Sequence, residues 1–162
     1  MATQTVRIFL SWCRRDKDPA QQLVHDLRPT LRLFTDLTVE WWQDSHLTCG
    51  EEFTGSIKNR IDEADFGLLL LSSHYLDSSF VLEHELPRFV GPTADKGALP
   101  VRLKPLLSFG AGHNFQGVDA LNMFALDGKA YTETRGNRRT DFANKLAEEI
   151  RRSALGDNGY RR

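Results

Sequence analysis

Glu83, His84 and Glu85 stand together in the segment Leu69-Leu70-Leu71-Ser72-Ser73-His74-Tyr75-Leu76-Asp77-Ser78-Ser79-Phe80-Val81-Leu82-Glu83-His84-Glu85-Leu86-Pro87, which runs from an apolar strand through a polar turn into a short helix. Two carboxylates and an imidazole just past a strand end can take up a proton or stabilise positive charge beside a ligand. If one part of this chain does chemistry, it is this one. Residue types alone do not choose between Glu83 and Glu85. With 22 acidic residues in the chain, either is as readily a solvated helix carboxylate.

The elements that must position these groups alternate in type. Val6-Arg7-Ile8-Phe9-Leu10-Ser11-Trp12 is a β-rich run, followed by a charged turn and Pro19 at a first helical turn. Leu23, Leu27, Leu31 and Phe34 then recur as one face of an amphipathic helix, which Pro29 is expected to kink. Leu37 to Trp42 reads as a second strand, Gln43 to Gly50 as a polar loop, and Phe53, Ile57 and Ile61 as a second helix. Phe66-Gly67-Leu68-Leu69-Leu70-Leu71 lacks alternation, the mark of a central strand covered on both faces. A strand over Val101 to Leu107, nearer the edge, and a short last strand within Asp119 to Leu126 follow. Phe142, Leu146 and Ile150 mark a closing helix. This alternation implies a parallel sheet with helices on both faces, whose ligands bind beyond the carboxyl ends of the strands. That rule selects Ser11-Trp12, Trp42 to Asp44, and Ser72 onward.

Composition bounds the possibilities. A chain of 162 residues, 40% hydrophobic and 27% charged with a net charge of -1, suits one soluble domain. No apolar run approaches the ~20 residues of a membrane span, and the start lacks the regions of a signal peptide, so the chain reads as cytoplasmic. The near-neutral charge disfavours nucleic acid, and the doublets Arg138-Arg139, Arg151-Arg152 and Arg161-Arg162 read as solvated helix faces. Cys13 and Cys49 have neither metal nor redox-pair spacing, and no metal is expected.

Several chemistries fail at the strand ends. Gly50 and Gly55 have the glycine spacing of a phosphate loop, yet Ser56-Ile57-Lys58 replaces the Lys-Ser/Thr it needs. Gly110, Gly112 and Gly117 miss the dinucleotide fingerprint, and Leu71-Ser72 stands where a phospho-acceptor receiver needs aspartate. His74 and His84 lack metalloprotease spacing, and a nucleophilic triad has little support.

In order along the chain, Ile8-Phe9-Leu10-Ser11-Trp12, then Trp42-Gln43-Asp44 through Gly50-Glu51-Glu52-Phe53, then Ser72 through Pro87 resemble three motifs of the Toll/interleukin-1 receptor (TIR) domain, prokaryotic type. The first looks like the Phe-Ile-Ser-Tyr box, the second like the BB loop with its helix-opening Gly-Glu-Glu, and the third like the turn and helix ending in Glu-Leu-Pro. The resemblance covers residues 5–155 and leaves 156–162 as a flexible tail or the start of a linker. The fold it implies is flavodoxin-like, a three-layer α/β sandwich with five parallel strands in order 2-1-3-4-5.

Many TIR domains similar to this one cleave NAD+ at the nicotinamide–ribose bond with an indispensable glutamate on the helix after strand three. The Glu-Leu-Pro ending and the offset from Phe80 carry that role to Glu85, with Glu83 as the alternative. One carboxylate is chemically sufficient. Glycosidases use a pair because an alkoxide leaving group needs an acid, whereas nicotinamide leaves a cationic ring as a neutral pyridine. What remains is to hold the ribose and stabilise oxocarbenium-like charge.

The resemblance further implies substrate contacts at Ser11, Trp12, Arg14 (or Arg15), Trp42, Asp44, Leu47 and Phe80, the aromatics as stacking walls and an arginine on the pyrophosphate. The expected substrate is NAD+, with no separate cofactor and with ADP-ribose or a cyclic isomer as product. Activation by self-association through the BB loop, at Asp44, Leu47 and Gly50, is expected, as is a sensor domain beyond this chain in prokaryotic immune defence. The loop departs from the family's Asp-Asp-Arg-Asp run at Gln43, Ser45 and His46, and Cys49 replaces a common proline. A non-catalytic adaptor making homotypic contacts, and a nucleoside-processing transferase of related fold, are the alternatives.

Overall fold

The computed structural model describes residues 3–43, 53–107, 114–118 and 121–155. Strand β1 (Gln4–Ser11) leads through a 3-10 turn (Arg14–Asp16) into helix α1 (Lys17–Leu31). Strand β2 (Leu37–Gln43), helix α2 (Phe53–Glu63) and strand β3 (Phe66–Leu71) follow. Next come the single helical turn α3 (Ser73–Leu76), a π turn (Val81–Glu85), a 3-10 turn (Leu86–Arg88), strand β4 (Gly97–Arg102) and helix α4 (Asn137–Leu155). The described strands form one parallel sheet in the order β2-β1-β3-β4.

Alternation along the inner strands explains the layers. Val6, Ile8 and Leu10 of β1, with Phe66, Leu68 and Leu70 of β3, face one cluster shared with Leu23 and Leu27 of α1 and Phe142, Leu146 and Ile150 of α4. Phe9, Leu69 and Leu71 point the other way, onto Ile61 of α2, Tyr75, Val81 and Phe89. Every residue of β3 is buried, as the unbroken apolar run predicts. Helix α1 carries Pro29 inside its last turn and continues to Leu31, the missing N–H leaving only the carbonyl one turn back without its helical donor.

The fourth strand lies earlier than the spacing suggests. It occupies Gly97–Arg102 instead of 101–107. Leu103 and Lys104 both donate backbone N–H groups to the Leu71 carbonyl, at 3.1 and 3.2 Å, so pairing closes where β3 ends. Pro100 sits on the outer side of the sheet, where its missing N–H costs no ladder bond and its carbonyl accepts from Phe124 N–H at 2.8 Å.

Among the described residues the fifth position is held by one parallel bridge, Val101 to Phe124, instead of a strand. The chain then reverses through Asp127 and Gly128, both with positive φ, in a two-residue turn closed by paired bonds between Leu126 and Lys129. A reversal so soon after Phe124 leaves no length for a ladder.

Candidate active site

The carboxyl ends of β1, β3 and β4 gather nearly all the buried polarity of the described chain. Of its five buried polar or charged residues, Ser11, Asp16, Ser72 and Glu85 lie here, and only Thr134 lies elsewhere. Burying polar groups is costly unless they are hydrogen-bonded, so four in one place mark a built network.

Glu85 closes the π turn and is fully buried. Its Oε1 accepts from Ser11 Oγ at 2.6 Å, and Ser11 Oγ lies 2.8 Å from the Tyr75 hydroxyl. A serine hydroxyl carries one proton. With that proton given to the Glu85 carboxylate, the Tyr75 hydroxyl must donate to Ser11, and the chain Tyr75 to Ser11 to Glu85 directs two O–H dipoles at the carboxylate. Residues two apart on a helix face opposite ways, so Glu83 turns outward. Its side chain is 72% exposed and meets only His84 Nε2, at 3.4 Å, among the contacts in its own turn. A π-helical turn is rare and recurs at functional sites. Here the residue after Glu85 precedes Pro87, which stops the α-helix from continuing and leaves a 3-10 turn behind it.

Tyr75 is set by Ser72, the first residue past β3. Ser72 is extended and caps α3, its Oγ accepting from Tyr75 N–H at 3.0 Å. The same hydroxyl donates to Asp16, whose other oxygen meets Lys104 Nζ at 2.7 Å. Ser73 is exposed.

The residues expected to line a substrate site divide. Ser11 and Glu85 come together, and half-buried Phe80 stands on the same turn, its ring against His84 with centroids 4.9 Å apart. Trp12 does not join them. Just past the end of β1, it faces the opposite side of the sheet from Ser11, 4% exposed among the α1 side chains and lining a cleft with Gln21, Val24, His25 and Arg28. Arg14 and Arg15 are exposed on the 3-10 turn. The backbone of Trp42, in β2, pairs with Phe9 of β1. Asp44, Leu47 and Gly50 lie outside the described residues. Asp16 and Lys104 were not legible as partners. Arg14-Arg15-Asp16-Lys17-Asp18 reads as a solvated charged turn, and nothing in that run marks Asp16 as its one buried member.

The described residues contain no group of three or more histidine, cysteine, aspartate or glutamate side chains arranged to hold a metal ion, and no helix long and apolar enough to cross a membrane. Arg138, Arg151 and Arg152 of the basic doublets are engaged with Asp127, Asp36 and Glu149.

No curated protein matches the sequence. The family model of the TIR domain matches residues 8–135, from within β1, through Ser11, Asp16, Ser72, Tyr75, Glu85 and Lys104, to just short of the closing helix. Most of the chain is covered, and the chain therefore belongs to the TIR-domain family.

Proposed function

We propose that this TIR domain is an NAD+ glycohydrolase in which Glu85 is the catalytic carboxylate. The observation that carries the reading is the hydrogen bond from Ser11 to the buried carboxylate of Glu85 at the carboxyl ends of the central strands, where open parallel sheets bind ligands. Glu85 would hold the nicotinamide ribose and stabilise the positive charge that develops as the glycosidic bond breaks. Nicotinamide departs as a neutral base, so no acid partner is needed. Water attack gives ADP-ribose; attack by an adenine nitrogen gives a cyclic isomer.

Complete burial of Glu85 adds a condition. Ribose reaches the carboxylate only after its cover moves, which supports activity that depends on self-association, with the BB loop of a second copy completing the site. Phe80 and an arginine of the Arg14-Arg15 pair are the side chains best placed in sequence to meet the base and the pyrophosphate. Homotypic association, a sensor domain outside this chain and a role in prokaryotic immune defence belong to the same proposal.

The same burial favours a second reading, a TIR adaptor that makes homotypic contacts and whose glutamate is structural. The two separate when concentrated protein is incubated with NAD+ and nicotinamide is followed, beside Glu85→Gln and Glu83→Gln. Release by wild type and Glu83→Gln but not Glu85→Gln supports the enzyme. Release at no protein concentration, with or without crowding agents, supports the adaptor, and cleavage of deoxynucleosides in place of NAD+ supports a transferase.

A further inference from the structure

We propose that Asp16 is a positioning residue for Glu85, acting through Ser72, Tyr75 and Ser11 with Lys104 as its counter-charge. Its effect on catalysis rests on the reading of Glu85 as the NAD-cleaving carboxylate; the chain of contacts stands without it.

Asp16 occupies the N-cap position of α1, where an aspartate ordinarily accepts from the N–H groups of its own helix. It makes no such bond. Both oxygens are turned across the sheet edge instead, one to Ser72 Oγ and one to Lys104 Nζ. A buried carboxylate left without its partner is strongly destabilising, and the lysine, 32% exposed, supplies the opposite charge to Asp16 from just beyond β4. Asp16 therefore ties together the ends of β1, β3 and β4.

The consequence runs inward by proton counting. Ser72 has one hydroxyl proton, and Asp16 takes it. Ser72 Oγ is thereby left with its lone pairs toward Tyr75 N–H, which fixes the first turn of α3. That turn delivers the Tyr75 hydroxyl to Ser11, whose own proton is committed to Glu85. The donor directions are fixed at the two ends, by Asp16 accepting from Ser72 and by Glu85 accepting from Ser11, and the Tyr75 turn joins them, with Lys104 paired to Asp16 at the surface.

Asparagine at position 16 breaks the pattern without changing its shape. Its amide keeps one acceptor oxygen, which the Lys104 ammonium claims, so its NH2 group faces Ser72. The Ser72 proton then loses its acceptor, and the N–H of Tyr75 competes with the new donor.

The test uses the full chain, with folding of each variant checked by circular dichroism. In Asp16→Asn the Tyr75 amide should exchange with solvent about tenfold faster, and the 13C carboxyl resonance of Glu85 should move from its wild-type position at neutral pH. If nicotinamide is released by wild type, kcat in the variant should fall about tenfold with KM changed by less than about threefold. Asp16→Asn added to Ser11→Ala should move the Glu85 resonance no further than Ser11→Ala alone, because the route is already cut.

A folded Asp16→Asn with unaltered Tyr75 exchange and Glu85 resonance overturns the proposal, as does full additivity with Ser11→Ala. If Asp16→Asn does not fold, Lys104→Gln carries the same measurements. It should also speed Tyr75 exchange and move the Glu85 resonance, Lys104→Arg should restore both, and no change in either signal overturns the proposal. Wild type that releases no nicotinamide, while these signals still move together, removes the NAD reading and leaves the positioning network in place.

Discussion

The Ser11 hydroxyl at the end of β1 and the Glu85 carboxylate at the end of the π turn are 2.6 Å apart, although 74 positions separate them in sequence. The contact joins the innermost part of the sheet to a segment whose helical geometry is irregular. It also distinguishes Glu85 from Glu83, which shares its turn but faces solvent.

Ser11→Ala removes this donor from a buried carboxylate and removes an acceptor from the Tyr75 hydroxyl in one step. Loss of a buried hydrogen-bond partner costs about 1–3 kcal/mol, so the urea midpoint should fall with an unchanged slope. If the chain cleaves NAD+ as proposed, nicotinamide release should drop by about tenfold or more, since the carboxylate loses the dipole that holds it. A variant with wild-type stability and wild-type release would show that the bond does not matter.

How much of this was legible beforehand follows from what each residue type announces. The unbroken run Phe66–Leu71 and the stripe Phe142, Leu146, Ile150 announce a buried strand and a closing helix, because burial on one or both faces leaves a periodic trace. Gly97–Arg102 announces little, since its glycine and proline resemble punctuation, while the better-looking pattern at 101–107 ends at Arg102 for want of partner residues beyond Leu71. Ser11 and Glu85 could be placed by strand ends and motif. Asp16 could not, because its burial is decided by Ser72 and Lys104, which are remote in sequence.

Gly67 of β3 packs directly against Phe89 in the segment after Glu85. A Cβ built there would lie 2.5 Å from the Phe89 ring. That ring is buried and stacked on Phe9 at 5.9 Å, so it has no open direction in which to yield. Gly67→Ala should cost about 1–3 kcal/mol by overpacking. Phe89→Leu in the same chain should recover part of that loss, giving a double-mutant cycle that is clearly non-additive. Additive losses in denaturant unfolding would place the strain elsewhere.

Two carboxylates outside the site should shape the acid side of the stability curve. Asp36 is held below the usual carboxylate range first by its hydrogen bond from Arg151, and Asp95 likewise by Arg88, which also meets Asp62 at 2.7 Å. A group whose folded-state pKa is depressed contributes stability above its unfolded value and loses it as pH falls through the folded one. Stability should therefore decline on acidification through and below the ordinary carboxylate range. Asp36→Asn or Asp95→Asn should flatten that decline, and added salt should weaken both contributions because these pairs are partly exposed. Unchanged slopes in unfolding measured across that range would count against the pairs.

Tyr131 sets the opposite limb. Its phenol is pushed above the ordinary tyrosine range first by burial and then by donating to Asp26, while Arg139, 4.9 Å over the ring, pulls the other way. A raised folded-state value means that the unfolded chain ionises first, so the stability this residue contributes is complete below a pH of about 10 and drains away as pH rises beyond it. Tyr131→Phe gives up the hydrogen bond, at a cost of about 1 kcal/mol near neutrality, but it has no proton to lose. Its stability should fall less steeply than that of wild type in alkali, and the two curves should converge as pH rises. Curves that stay parallel in urea unfolding from neutral to strongly alkaline pH would mean that the phenol ionises as easily in the folded chain as in the unfolded one.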